Sequence, residues 1–385
     1  MYGLTPYPIT PIGNAFGVVF ALLPLVSQSR KVNLGIWGYA GWIAVTNFQT
    51  FVNTIIWHSS VDIVAPVWCD IVTKLQVGAS VGTRTCALAI CIHLYKITRL
   101  QPLSAETTRR KKRIGLIIEL TLIIGIPVLV MALFIIVQPF RFNIVEEEGC
   151  VFVEFTYVTY IIYYGPSLVA SLGSALLAPL TVRTFFRQRK AMNEFFSTNE
   201  EVSSNKYKRL MVIACLDILI NLPLFTIILV TDILQGKQNA MNYPYISWKN
   251  VHDGAGGLAP GLSLSSILQT PASAWDDSSW DVFETKWNEW VFVLHALVFF
   301  AVFGTTPEMR QRYLSVLWYI PGRCGCRRHK TPELQAGNST VVFNHSPSAP
   351  GQHMRNELEN ERRRDPLSFL ETMISSRATE ANASE

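Results

Sequence analysis

Residues 109–137 read RRKKR-IGLIIELTLIIGIPVLVMALFIIV: a block of cations, Arg109–Arg113, runs directly into an apolar stretch, Ile114–Val137, in which Glu119 is the sole ionisable side chain. A bilayer crossing needs about 20 mostly apolar residues, and this stretch supplies them. Inside hydrocarbon every backbone N–H and C=O must be paired within its own segment, so the stretch predicts a helix starting at a charged membrane face. Outward from it lie six more such windows: Ile9–Val26, Leu34–Trp57, Ala65–Tyr95, Phe155–Val182, Leu210–Ile233 and Trp287–Phe303. The expected fold is an all-α membrane protein, a seven-transmembrane helix bundle over residues 1–304. A juxtamembrane amphipathic helix (305–320) and a cytoplasmic, mostly disordered tail (321–385) follow.

Lys and Arg gather in alternate loops. Arg30 and Lys31 mark loop one; Lys96, Arg99 and Arg109–Arg113 loop three; Arg183, Arg187, Arg189, Lys190, Lys206, Lys208 and Arg209 loop five with its flank; Arg310, Arg312, Arg323, Arg327, Arg328 and Lys330 the tail. The opposing loops carry only Arg141, Lys237, Lys249 and Lys286. Positive residues stay cytoplasmic, which predicts the N-terminus outside and the C-terminus inside. The net charge of +5 is therefore a topology signal rather than a nucleic-acid footprint. The same basic face would attract anionic membrane lipid. No basic segment precedes the first apolar run, so the first span is expected to act as an uncleaved anchor.

The cysteines fit this arrangement. Cys86, Cys91 and Cys215 fall inside spans, and Cys324 and Cys326 in the tail, leaving Cys69 and Cys150 near the outer face, where disulfides form. A Cys69–Cys150 bond would pin the second outer loop over the bundle mouth; the alternative is two thiols that never meet. Past Gly304, Met309, Tyr313, Val316, Leu317 and Ile320 recur at helical spacing, with Pro307 suited to a first turn, as in a helix lying on the inner leaflet. Cys324 and Cys326, in a basic run, are a candidate palmitoylation site, with two reduced thiols as the alternative. Loop six, roughly 234–286, mixes turn formers with aromatics that include Trp248, Trp275 and Trp280. These suit either an interfacial belt or an apolar lid over a greasy ligand.

Charges within spans are costly and are functional candidates. Asp70, Lys74 and Arg84 share one narrow face of span three, at about 100° per residue. Asp70 and Lys74, near the mouth, are candidate ligand contacts or a salt bridge setting register; the deeper Arg84 is a candidate switch. Gly78 and Gly82 permit close helix packing. Span six carries Asp217, Asn221 and Pro223, and Pro223 should kink it. Pro24, Pro127, Pro166 and Pro179 break other spans. Replacement of Pro223 by Leu is expected to straighten span six. Enzyme signatures are missing: the histidines lack metal-ligand spacing, and neither a phosphate-binding Gly-rich loop nor GxSxG occurs. No cofactor is expected. A transporter more often repeats interrupted helices in two halves, so a carrier or channel for a solute or ion is the second reading.

The run Trp68-Cys69-Asp70-Ile71 with Lys74-Leu75, Gly78, Gly82 and Leu94-Tyr95-Lys96-Ile97 resembles span three of the fungal mating-pheromone receptors of the a-factor type. Gly149-Cys150, Leu222-Pro223, the ending Phe299–Gly304 with Glu308, Arg310 and Tyr313, and Tyr245–Trp248 with His252 are similar to that family as well, the last to its mushroom-type branch. The resemblance covers roughly residues 1–320 and implies a class D G-protein-coupled receptor of the plasma membrane. Its implied partners are a secreted, farnesylated peptide pheromone and a heterotrimeric G protein; a homo-oligomer stays open. Glu146, Glu147, Glu148, Glu154, Asp70 and Lys74 would read peptide charge at the mouth, where reversing Glu146–Glu148 should change which peptides activate. Movement about Pro166 and Pro223 would open an inner cleft edged by Arg99, Arg183, Arg187 and Arg209, with Asp217 and Asn221 exchanging hydrogen bonds.

Overall fold

The computed structural model describes residues 5–27, 34–98, 109–187, 204–236, 239–253, 263–276, 278–305, 309–311 and 313, all within one compact unit, Met1–Cys326. Helical segments occupy all seven expected windows. They are α1 (Ile9–Ser27), α2 (Leu34–Ile56), α3 (Pro66–Thr98), α4 and α5 (Arg109–Leu120, Ile126–Leu133), α6 (Gly165–Arg187), α7 and α8 (Ser204–Leu216, Leu222–Leu234) and, after the short α9 (Trp248–His252), α10 (Ser279–Phe303). Among the described residues five segments are long and apolar enough to cross a membrane: Pro66–Thr98, Arg113–Val137, Tyr160–Arg187, Lys208–Leu234 and Ser279–Phe303. A shorter apolar helix covers Ile9–Leu25. The α2 helix is long enough but carries buried Thr46, Asn47, Gln49, Thr50, Asn53 and Thr54, which lower its apolarity. Arg99, Cys324, Cys326 and the tail lie outside the described residues; of the juxtamembrane helix, 309–311 are helical and Met309 is buried.

α3 is the central helix. It packs against α2, α5, α6 and α7, while α1 joins α2 to α10. Three prolines leave a common mark. π turns at Thr121–Gly125, Tyr160–Tyr164 and Asp217–Asn221 each end two residues before a proline: Pro127, Pro166 and Pro223. Proline lacks an N–H and its ring clashes with the carbonyl one turn back, and the wider turn gives that carbonyl room. Pro24 and Pro179 sit in uninterrupted α-helix instead.

At Pro127 the stranded acceptor finds a partner on another helix. The Trp42 indole N–H of α2 donates to the Ile123 carbonyl at 3.0 Å. The indole reaches it across α3 because Gly82 has no side chain; a Cβ there would lie 2.4 Å from Trp42 Nε1. Gly78 makes room for Met131 in the same way, with Met131 Sδ 2.5 Å from where a Cβ would stand. Two asparagines bind α1 and α2 to α10: Asn14 Nδ2 donates to the Glu289 carbonyl at 3.3 Å and Asn47 Nδ2 to the Phe292 carbonyl at 3.0 Å.

One part is not helical, which the all-α expectation did not include. β1 (Phe140–Val145) pairs antiparallel with β2 (Gly149–Val151), Ile144 opposite Cys150, and parallel with β3 (Ser263–Thr270) of loop six. Parallel neighbours need a crossover, and the chain between these two includes β2 and the helices α6, α7, α8 and α9. Cys150 in β2 is bonded to Cys69 at the start of α3, with Cα atoms 5.3 Å apart, so the sheet is fixed to one end of the bundle.

Candidate functional site

Beneath this sheet the bundle encloses a cavity of about 430 Å³. Polar stripes at helical spacing supply much of its wall: Thr46, Gln49 and Thr50 of α2, Gln76, Ser80, Thr83 and Arg84 of α3, and Asp281, Glu284, Thr285 and Asn288 of α10. Leu224, Phe225 and Ile228 of α8 form an apolar side, and Trp275, from the segment after β3, also lines it. Glu148 and Glu154 enter from the loop around β2.

The expected mouth residues separate into two groups. Asp70 does not pair with Lys74, as its helical spacing suggested. Its carboxylate takes a two-pronged contact from Arg141 of β1, 2.9 and 2.5 Å long, because the hairpin brings a planar fork to it. Lys74 donates to Gln138 and lies 5.4 Å from the Phe134 ring. Glu146 accepts from the Ala272 N–H at 2.7 Å. Glu147, 3 % exposed, accepts from the Thr5 N–H at 2.5 Å and is paired with Lys286, whose ammonium also lies 3.4 Å from Glu289. These four groups are engaged in holding the hairpin, the N-terminal segment and α10 together. Glu148 and Glu154 instead face the cavity. Burial, then the neighbouring carboxylates Glu284 and Glu289, push Glu148 up to about 8. Burial, then Glu284 and Asp232, do the same to Glu154. Water reaches both through the cavity, yet protein surrounds them.

Trp275 is 6 % exposed in the cavity wall and lies 5.7 Å from the Lys286 ammonium, whereas Trp248 stacks on His252 at 3.8 Å and Trp280 leans on Phe283 at 5.6 Å. Neither of the latter two lines the cavity. Deeper down, Arg84 donates to the Ser80 carbonyl and hydroxyl, 2.5 and 3.0 Å away, with its guanidinium 4.5 Å from the Phe225 ring. Asn221, closing the π turn of span six, meets His295 Nε2 at 3.0 Å across to α10. Pro166 and Pro223 follow their π turns, and the Asp217 backbone opens the second; its side chain is not described. Arg183 and Arg187 are exposed near the end of α6, and Arg209 is part-exposed on α7. Among the described residues no three His, Cys, Asp or Glu side chains converge as a metal ion requires.

Residues 9–325 match the profile of STE3, the pheromone A receptor family. The chain belongs to this family. It is 30 % identical over 308 residues to the pheromone B alpha 3 receptor of Schizophyllum commune, covering 80 % of this chain and 47 % of that one. Pheromone receptor 1 of Ustilago hordei is 27 % identical over 331 residues (85 % and 88 %), and the pheromone a factor receptor of Saccharomyces cerevisiae 25 % over 305 (78 % and 59 %). The chain spans about half the length of the Schizophyllum relatives it matches. It is thus a multi-pass membrane protein of the STE3 pheromone-receptor family. In this STE3 chain the sequence reading missed Gln49, Gln76, Asp281 and Glu284 as cavity residues. Their signal was present: polar side chains at i, i+3, i+4 and i+7, at 46, 49, 50, 53 and at 281, 284, 285, 288, and Gln76 four residues before Ser80.

Proposed function

We propose that the protein is a plasma-membrane receptor that crosses the bilayer seven times, N-terminus outside, and converts binding of a secreted farnesylated peptide pheromone into activation of a heterotrimeric G protein. The observation that carries this reading is the polar cavity under a disulfide-fixed sheet, in a chain matching the STE3 family over residues 9–325. The peptide part would sit among Glu148, Glu154 and Trp275. The lipid would lie along the apolar side at Leu224 and Ile228, next to the exposed Ile227 and Val230, at about 0.8 kcal/mol per buried CH₂. Since a prenyl group is common to such ligands, discrimination falls to the peptide.

Agonist must bind the active bundle more tightly than the resting one, or nothing shifts. The Arg84–Phe225 and Asn221–His295 contacts join α3, α8 and α10 at the cavity floor and would be remade as span six moves about Pro223. At the inner end Arg183, Arg187 and Arg209, with Arg99, would edge the cleft taken by a Gα C-terminus. In membranes holding the protein and a Gα subunit, synthetic farnesyl peptides are expected to accelerate GTP exchange. Solute or ion flux without exchange would instead establish the carrier reading.

A further inference from the structure

We propose that Glu154 and Glu284, with Glu148 and Asp281, hold a positively charged group on the peptide part of the ligand, and that this contact decides which peptides activate. The inference rests on the pheromone reading above and narrows the ligand's chemistry.

Four carboxylates reach one cavity from separate stretches: Glu148 from the β1–β2 turn, Glu154 from the segment after β2, and Asp281 and Glu284 from the first turns of α10. The one Arg or Lys among the described lining residues, Arg84, is already bound by Ser80 and stacked on Phe225. Lys286, the nearest other cation on α10, is held by Glu147 and Glu289 and does not line the cavity. The mouth therefore gathers four carboxyl groups with no free described cation among them.

A second observation points to a peptide rather than a small ion. Gln49 is 2 % exposed and lines the same cavity, yet neither its amide nitrogen nor its amide oxygen has a hydrogen-bond partner. The Trp275 indole N–H is in the same condition. Buried polar atoms left without partners cost about 1–3 kcal/mol each, so such groups mark a place where something polar binds. A donor and acceptor on one amide and an indole donor, all in one cavity wall, complement a peptide group, and the cavity's carboxylates complement its ammonium or guanidinium. Burial, with Glu284 and Glu289 near Glu148 and Glu284 and Asp232 near Glu154, holds the two up at about 8, and an arriving cation favours their ionised forms.

The test uses the full chain in cells with a Gα reporter. The probes are synthetic peptides ending in S-farnesyl cysteine methyl ester, identical except that lysine, norleucine or glutamate is scanned through the preceding positions. At one position the lysine peptide should act at roughly tenfold lower concentration than its norleucine twin. In the Glu154→Gln, Glu284→Gln double variant that advantage should vanish, the lysine and norleucine peptides then acting at equal concentration. Equal potency of lysine and norleucine peptides at every position of the wild-type protein overturns this inference alone, and that comparison needs no variant to fold. No response of the wild-type protein to any farnesyl peptide overturns the pheromone reading, and this inference with it.

Discussion

Glu147 stands at φ 74°, a backbone region that side chains other than glycine seldom adopt, at the tip of the β1–β2 turn. Three contacts hold it there: its N–H donates to the Trp57 carbonyl at 2.9 Å, and its carboxylate takes the Thr5 N–H and the Lys286 ammonium. Breaking a buried ion pair costs about 3–5 kcal/mol. Because Glu289 remains beside Lys286, Glu147→Gln is expected to cost about 3 kcal/mol by thermal unfolding in detergent, near the lower end of that range. Glu146→Gln, whose amide oxygen can still accept from Ala272, should cost under about 1 kcal/mol; equal losses would contradict these roles. Glu148 and Glu154 make stability depend on pH. Both keep their proton in the folded protein up to about 8, whereas the unfolded chain releases it near 4.5, facing Glu284, Glu289 and Asp232 no longer. Between those values the folded state binds more protons, so stability falls as pH rises through the window and levels off above it. The unfolding temperature of a Glu148→Gln, Glu154→Gln variant should fall less steeply there than that of the wild type; identical slopes would contradict it. None of this was legible from the run of glutamates. Which of Glu146, Glu147 and Glu148 turns inward depends on the hairpin's twist and on long-range partners at 5, 272 and 286.

At the scale of the elements, the prolines of spans four, five and six were legible as breaks, but the π turns before them were not. A proline predicts only a missing donor; how the helix widens depends on what accommodates the stranded carbonyl. For Pro127 that is Trp42, passing the gap left by Gly82. Trp42→Phe should therefore destabilise the protein by about 1–3 kcal/mol. In a Pro127→Ala background, where the chain regains an N–H, the same change should cost less, with a coupling of about 1 kcal/mol in a double-mutant cycle. Additive losses would mean the indole bond contributes nothing specific. The Gly78 and Gly82 pair, expected to permit close helix packing, does so as a slot for the side chains of Trp42 and Met131 from the neighbouring helices.

For the whole molecule, the apolar windows were readable because hydrocarbon enforces helix wherever the backbone lacks water. The sheet was not, since its parallel pairing joins residues 123 to 125 apart, from Phe140 with Ser263 to Val145 with Thr270, and no local pattern announces such a partner. The Cys69–Cys150 bond was legible by position, being the two cysteines left near the expected outer face. The cavity was legible only in part: Arg84 stood out as an intramembrane charge, while the polar faces of α2 and α10 were not among the expected site residues.

The central claim is that this acidic cavity opens to the cell exterior and receives the pheromone. Glu284→Cys places a thiol in its wall. On intact cells a membrane-impermeant maleimide should label that thiol well above the wild-type background, and a farnesyl peptide that activates the receptor should slow the labelling. Labelling that appears only after permeabilisation, or that proceeds unchanged with the activating peptide present, would contradict the account.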